Sequence, residues 1–408
     1  MNSKLLTLWS SFLMLAAFHT ASAVELGNLS VGGAIRANYV NGDYVADGSD
    51  GAQRGDNGGN FELDVFRLNL DYADDGPVSA KAEYRWYNGY NFLHTGWVNF
   101  SLDESSDVKV GLNRVPFGVG AYGPANSWFF DQHYYVGLSD DMDYGIKYSW
   151  TQDNLAIDLA YYLMAENSFV GASEESARYS YDIVDNGSPY SHYEEEHQVN
   201  VRAIYTITDD DESYSNDLGI SLQYGQLAAD ETFAEDTDAY AISLHSKASI
   251  GAWTLMLQAT QYEYAADYKS SATDANGLPL TNDLITMGAY DFAWPVASKG
   301  TIPAVALSYT MKPDVDWIDS ITFYNDYSVI MKDNDSFNDS ALNVTGFAIA
   351  NDGWYIYVDY AYSNGNYFVG SEGDVYGDTY AESSVGDFGA NGNDDWNGRF
   401  NINFGYYF

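Results

Sequence analysis

Arg36, Arg67, Lys81, Arg85, Lys109, Lys147, Arg202, Lys247 and Arg399 all fall on the polar side of segments that alternate polar and apolar residues. Cations gathered on one face can act on passing ions. Set across from carboxylates, they create a transverse field that orders water and favours polar solutes. An Arg or Lys facing lipid at mid-membrane costs about 2–4 kcal/mol, whereas one facing a wet lumen costs far less. A solvated sheet face would alternate in the same way, but the many strands with aromatic-rich outer walls favour a lumen. The acidic counterpart is in segment 114–142. After its first residue, Arg114, that segment has no Lys or Arg, and it carries Asp131, Asp140 and Asp141.

Other constellations are weaker. Residues 191–197 include His192, Glu194, Glu195, Glu196 and His197, which are adequate metal ligands but read as a solvated loop. Asp209–Asp211 with Glu212, and Asp333 with Asp335, lack the glycine and terminal Glu of a calcium loop. Nothing beside His94, His133, His192, His197 or His245 favours a nucleophile or base role. No enzyme, cofactor or metal is expected.

The elements that must position these residues are strands. Side chains of a strand point alternately to its two faces. In residues 29–39, Leu29, Val31, Ile35, Ala37 and Tyr39 oppose Ser30, Arg36 and Asn38. The last thirteen residues alternate without a break: Trp396, Phe400, Ile402, Phe404, Tyr406 and Phe408 against Asn397, Arg399, Asn401 and Asn403. About seventeen such segments recur. Single-chain bacterial barrels have an even strand number, so sixteen are expected. The weakest candidate is 284–292, where alternation blurs and Pro295 follows. Phe408 would close the wall. The expected fold is an all-β transmembrane antiparallel barrel.

Composition agrees. Residues 1–23 read as an export signal: Lys4, an apolar stretch, then Ala21-Ser22-Ala23 as the cleavage site. The barrel domain would be 24–408. There is no cysteine, so neither a disulfide nor a thiolate metal site is needed. With 17 Lys and Arg against 59 Asp and Glu, a net charge of −42 repels nucleic acid. The 37 Tyr, 20 Phe and 10 Trp suit the two membrane–water interfaces. Connections alternate between tight turns, expected on the periplasmic side, and long acidic loops at 41–60, 164–196, 265–282 and 363–395, expected outside. Such loops could share divalent cations with lipopolysaccharide. Segment 114–142 is more apolar. With Trp128, Phe129, Phe130, Tyr134 and Tyr135 it would be sticky if exposed, so it is expected to fold into the barrel.

The run Phe61-Glu62-Leu63-Asp64-Val65-Phe66-Arg67-Leu68-Asn69-Leu70, then Trp97-Val98-Asn99-Phe100, then Val110-Gly111-Leu112-Asn113-Arg114-Val115-Pro116-Phe117-Gly118 resembles the phosphate-selective porin family of Gram-negative outer membranes. The likeness is clearest over 61–150. It implies a sixteen-stranded trimeric porin, a third external loop folded inward after the fifth strand, and a C-terminal aromatic, here Phe408, as insertion signal. The dense Arg ladder and Lys cluster of anion-selective members are missing. The resulting expectation is passive diffusion of small hydrophilic solutes and ions, with weak ion selectivity and no phosphate specificity. Arg36, Arg67, Lys81, Arg85, Lys109, Arg114 and Lys147 would face Asp131, Asp140 and Asp141 across the constriction. The alternatives are a substrate-specific porin (phosphate or another anion, sugar, dicarboxylate) and a secreted all-β binding protein.

Overall fold

The computed structural model describes residues 23–42, 59–173, 175–211, 213–274, 277–335, 337–364, 366, 368–369 and 396–408. The expected signal segment, but for Ala23, and most of the 41–60 and 363–395 loops lie outside the described residues. In chain order the strands are β1 Val24–Leu26, β2 Leu29–Gly42, β3 Asn60–Ala73, β4 Val78–Trp86, β5 Asn91–Ser101, β6 Ser106–Arg114, β7 Met142–Gln152, β8 Leu155–Ala165, β9 Asp182–Ile183 and β10 Tyr193–Thr208. They continue as β11 Tyr214–Ala229, β12 Thr237–Ile250, β13 Trp253–Tyr264, β14 Leu284–Ala289, β15 Phe292–Ala297, β16 Lys299–Met311, β17 Ser320–Lys332, β18 Ser340–Asn351, β19 Trp354–Ser363 and β20 Asn397–Tyr407.

The large sheet has 17 strands; β1 only extends the free edge of β2, and the other sixteen form a closed antiparallel wall. Closure joins β20 to β2, with Ile35 opposite Tyr406 and Asn41 opposite Phe400. Phe408 completes the seam: its carbonyl accepts from Gly33 N at 2.7 Å and its N–H donates to Gly33 O at 3.0 Å. A closed wall leaves no strand edge unpaired, which the bilayer interior requires.

The alternation read from sequence decides which face meets lipid. Leu70, Val98, Ile146, Leu218, Ile220, Ile242, Leu244, Leu307 and Phe404 are exposed on the outside, while Asn113, Asn200, Ser221, Ser243, Asn401 and Asn403 are buried within. Rings mark both rims. Near the short turns Trp253 meets Tyr309 at 4.9 Å and Trp317 meets Trp354 at 6.3 Å. At the opposite rim Tyr362 stacks on Trp396 at 4.9 Å. An apolar band between two aromatic girdles is the outer surface of a transmembrane barrel.

Segment 284–292 is not a wall strand. β14 and β15 form a hairpin that pairs through β14 with β9, a separate three-stranded sheet with β15 at its edge. Pro295 lies in β15, where the missing N–H breaks no inner ladder. Both faces of β14 are buried, so its sequence lacks a two-sided pattern. The expected count of sixteen holds once this candidate is removed.

A second difference concerns the long loops. Stretches 164–196 and 265–282 were expected as external acidic loops, but parts of each turn inward, as does the 284–297 hairpin. Tyr179, Tyr181, Ile183, Tyr190, Tyr268, Leu284 and Ile285 are buried in one apolar cluster with Phe129, Tyr134 and Leu138. Many tyrosines therefore pack inside the barrel rather than at the membrane interfaces alone.

Candidate functional site at the lumen constriction

Residues 115–141 leave β6, the fifth wall strand, and return as β7. Between them the chain crosses the lumen. Gly118 starts the crossing at φ +72°, and a Cβ there would lie 2.6 Å from Gln258 Oε1, so Pro-Phe-Gly ends in the one residue that fits. Gly118 N then donates to Ser221 Oγ at 3.0 Å on β11, and Val119 N to Gln258 Oε1 at 2.9 Å on β13. Asn126 N and Ser127 N both donate to Asp326 Oδ2 at 2.8 Å. Asp326 is on β17, eight wall strands round from β6 and hence directly across the barrel. Trp128 N donates to Asp359 Oδ2 at 3.1 Å on β19, and Gln132 N to Ser328 Oγ at 2.9 Å. The far wall thus grips the loop through its backbone N–H groups. Carboxylates suit that role because a charged acceptor makes the stronger hydrogen bond.

The loop leaves a cavity of about 280 Å³ beside β2, β3, β4 and β20. Its rings include Tyr87, Tyr90, Trp128, Phe129, Tyr134, Tyr179 and Tyr290, and its cations are Arg36, Arg85 and Arg399. Tyr87 and Tyr90 stack at 5.1 Å with a 9° interplanar angle. Tyr134 and Tyr290 share a hydroxyl hydrogen bond of 2.6 Å. Burial holds the Tyr134 and Tyr179 phenols well above their ordinary pKa, so both remain neutral hydroxyls.

Arg36, Arg67, Arg85 and Arg399 each have definite partners. Arg36 Nε is 2.9 Å from Asp64 Oδ2, and its guanidinium lies 4.5 Å over the Trp128 ring. A bulge in β3 sets this up: Arg36 pairs with Val65 and Ala37 with Leu63, which leaves Asp64 as the extra residue. Arg85 reaches Glu83 Oε1 with Nη2 at 2.6 Å and Nε at 2.7 Å, and lies 4.6 Å over Tyr179. The same oxygen is 3.4 Å from Arg67 Nη1, and Arg67 lies 4.6 Å over Tyr407. Arg399 donates to Phe368 O at 2.9 Å and lies 5.3 Å over Phe129.

Of the other basic residues, Lys81 pairs with Asp71 at 3.1 Å, towards the turn rim. Lys109 and Lys147 are directly opposite each other across β6 and β7. Lys109 resolves this against Trp97 at 4.3 Å, and Lys147 Nζ donates to Arg114 O at 2.6 Å. Arg114 pairs with Asp140 at 2.5 Å, and Tyr179 donates to the other oxygen of Asp140 at 2.5 Å.

The loop acids do not line the cavity with Arg36 and Arg85. Asp131 holds His133 Nδ1, and His133 Nε2 is 2.8 Å from Thr260 Oγ1. This buried acid–imidazole–hydroxyl chain pins the loop to β13. Asp141 is buried beside Asp143 and Asp182. Of the two histidines noted at 191–197, His192 stacks on Phe233 at 4.3 Å near Asp185 and Asp230, while His197 meets Tyr161 on the outer wall.

Sequence reasoning anticipated the loop rings Trp128, Phe129 and Tyr134 but missed the rest of the aromatic lining. Tyr87, Tyr90, Tyr179 and Tyr290 are far apart in the chain. The period-two run Tyr179, Tyr181, Ile183 was the one available signal that 166–192 is not a solvated loop.

No protein-family model matches the sequence, and no curated protein sequence matches it either. Solved structures of outer-membrane proteins share the fold. The chain is similar to the outer-membrane channel DcaP of Acinetobacter baumannii, with TM-score 0.56 and 10% identity over 93% of this chain and 97% of that one. It is similar to OmpT of Vibrio cholerae in its trimer form, with TM-score 0.54 and 15% identity over 94% and 100%. It is also similar to the anion-selective porin of Comamonas acidovorans, with TM-score 0.53 and 13% identity over 93% and 99%. The chain is a barrel of the outer-membrane porin type.

Proposed function

We propose that this chain is a porin of the Gram-negative outer membrane, acting as a homotrimer and passing small hydrophilic solutes and ions by diffusion. One observation carries the reading: a loop crosses a closed transmembrane barrel and leaves a small polar–aromatic cavity against one wall. Ligand pockets commonly run from about 300 to 1,000 Å³, so the passage suits small solutes. Several wall cations are matched by carboxylates, as in Arg36–Asp64 and Arg85–Glu83. That matching supports weak ion preference over the phosphate capture of an unpaired Arg ladder. Trimeric assembly is in keeping with the trimer form of the similar OmpT.

The test is conductance in planar bilayers. Replacing residues 119–139 by a short Gly-rich link is expected to raise single-channel conductance severalfold, while heat-modifiable gel migration shows the barrel intact. Unchanged conductance would mean that the loop is not the constriction. Saturation of the current by micromolar phosphate would rule out a general pore. Cross-linking in detergent is expected to stop at three chains.

A second reading is favoured by the rings. Stacked Tyr87 and Tyr90, with Trp128 beneath Arg36, offer flat apolar faces beside paired charges. Such a lining suits a sugar or another solute with one apolar face. Block of the ion current by that solute at millimolar concentration would favour substrate selectivity.

A further inference from the structure

Where the constriction loop rejoins the wall, several carboxylates collect around one cation, Arg178, which pairs with Asp182. Asp141 ends the loop, Asp143 is the second residue of β7 and Asp182 lies in β9. One carboxylate oxygen from each falls within 4.8 Å of the others, and all three residues are buried. Glu166, just after β8, is 1% exposed beside them. Like charges at this spacing repel strongly in a dry interior.

The hydrogen bonds give a second, separate indication. Three of these acids are held through one oxygen by a protein donor. Gln198 Nε2 donates to Asp143 Oδ2 at 3.2 Å, Tyr179 N to Glu166 Oε1 at 2.7 Å, and Arg178 Nη1 to Asp182 Oδ2 at 3.0 Å. The opposite oxygens of Asp143 and Glu166, Oδ1 and Oε2, have no hydrogen-bond partner, nor has Asp141 Oδ1. Buried acceptors are rarely left in this condition. One oxygen fixed by an outer donor and one presented inward is how ligating carboxylates are oriented.

We propose that Asp141, Asp143 and Asp182, supported by Glu166, bind one divalent cation of the calcium type. All-oxygen, carboxylate-rich donors suit a hard cation rather than zinc or copper. Oxygens at 2.3–2.6 Å from Ca²⁺ stand at most about 5 Å apart across it, which the 4.8 Å limit meets. The cation would join three separate pieces: the end of the constriction loop, the wall at β7 and the inward-turned 166–192 segment. It would offset their repulsion and fix the loop from the side opposite to its Asp326 anchor.

The test uses the folded full-length protein in detergent, after chelation and gel filtration, titrated with Ca²⁺ in salt sufficient to screen exterior acids. One Ca²⁺ per chain is expected, displaced by Tb³⁺ with tyrosine-sensitised luminescence. Asp143→Asn and Asp182→Asn should each abolish this stoichiometric binding, whereas Asp75→Asn, in an exposed turn, should leave it unchanged. Gln198→Leu, which removes the outer donor to Asp143, should weaken it about 10–100-fold. Absence of stoichiometric binding at millimolar Ca²⁺, or its persistence in both Asp variants, overturns the proposal. If those variants fail to fold, anomalous scattering from Tb³⁺ in crystals of the unmodified protein decides. Density between Asp141, Asp143 and Asp182 supports the site, and density only at the exterior loops overturns it.

Discussion

Glu83 compensates two guanidiniums with one carboxylate. Its Oε1 is 2.6 Å from Arg85 Nη2 and 3.4 Å from Arg67 Nη1, and His94 Nδ1 is 3.5 Å away. Arg85 in turn faces the cavity. Glu83→Gln removes a negative charge and leaves both Arg side chains in place. The reversal potential in a salt gradient is therefore expected to move towards anions, and Arg85→Gln should move it towards cations. An unmoved potential in both would show that Arg85 does not bear on permeating ions. Because the pair is buried, Glu83→Gln should also cost about 3–5 kcal/mol of stability, measured by denaturant unfolding. Sequence alone placed Arg36, Arg67 and Arg85 on polar faces, with Glu83 two residues from Arg85 on the same face, but carried no sign that Glu83 also reaches Arg67 or that Asp64 pairs with Arg36. The acids involved, Asp64 and Glu83, are ordinary members of an acidic chain, and the rings over the guanidiniums come from β20 and the loops.

At the scale of elements, the loop is held by acids on the far wall. Asp326 accepts from Asn126 N, Ser127 N and Asn126 Nδ2, each at 2.8 Å. Hydrogen bonds to a charged group contribute about 1.5–3 kcal/mol each, and Asp326→Ala leaves the loop donors without their acceptor. The variant is expected to give a higher and noisier single-channel conductance, with Asp326→Asn intermediate because it retains one acceptor oxygen. Conductance traces identical to the parent would show that the other anchors suffice. The inward path of 115–141 was legible because its rings would be costly in water. The inward turn of 166–192 was not: Glu166, Arg178 and Asp182 look solvated until Tyr179 N and Ser180 N are seen to hold Oε1 of Glu166 and Asp182 to pair with Arg178.

For the whole molecule, the outer wall sets stability in the bilayer. Leu244 is 62% exposed near the middle of β12. Leu244→Arg should destabilise the folded barrel by about 2–4 kcal/mol in lipid vesicles, and by much less if β12 faced water. The seam depends on the last residue. Deleting Phe408 removes both backbone bonds to Gly33 and one outer ring. The yield of heat-modifiable barrel is expected to fall, with most protein remaining unfolded. A normal yield would show that closure is complete at Tyr407.

Local alternation by itself determined most of the strands, their two faces and the closing role of residues 396–408, because a strand's period of two requires no partner to be read. The apolar content of 115–141 determined that it could not remain in water. Tertiary structure alone decided that β14 and β15 leave the wall, that 166–192 packs beneath the rim, and which acid neutralises which Arg. Apart from the local pairs Glu83–Arg85 and Arg178–Asp182, those outcomes depend on contacts between residues 16 to 200 or more positions apart, such as Glu83 with Arg67 and Asn126 with Asp326. No local pattern encodes such pairs, since an Asp in solvent and an Asp across the lumen from its partner have the same neighbours in sequence.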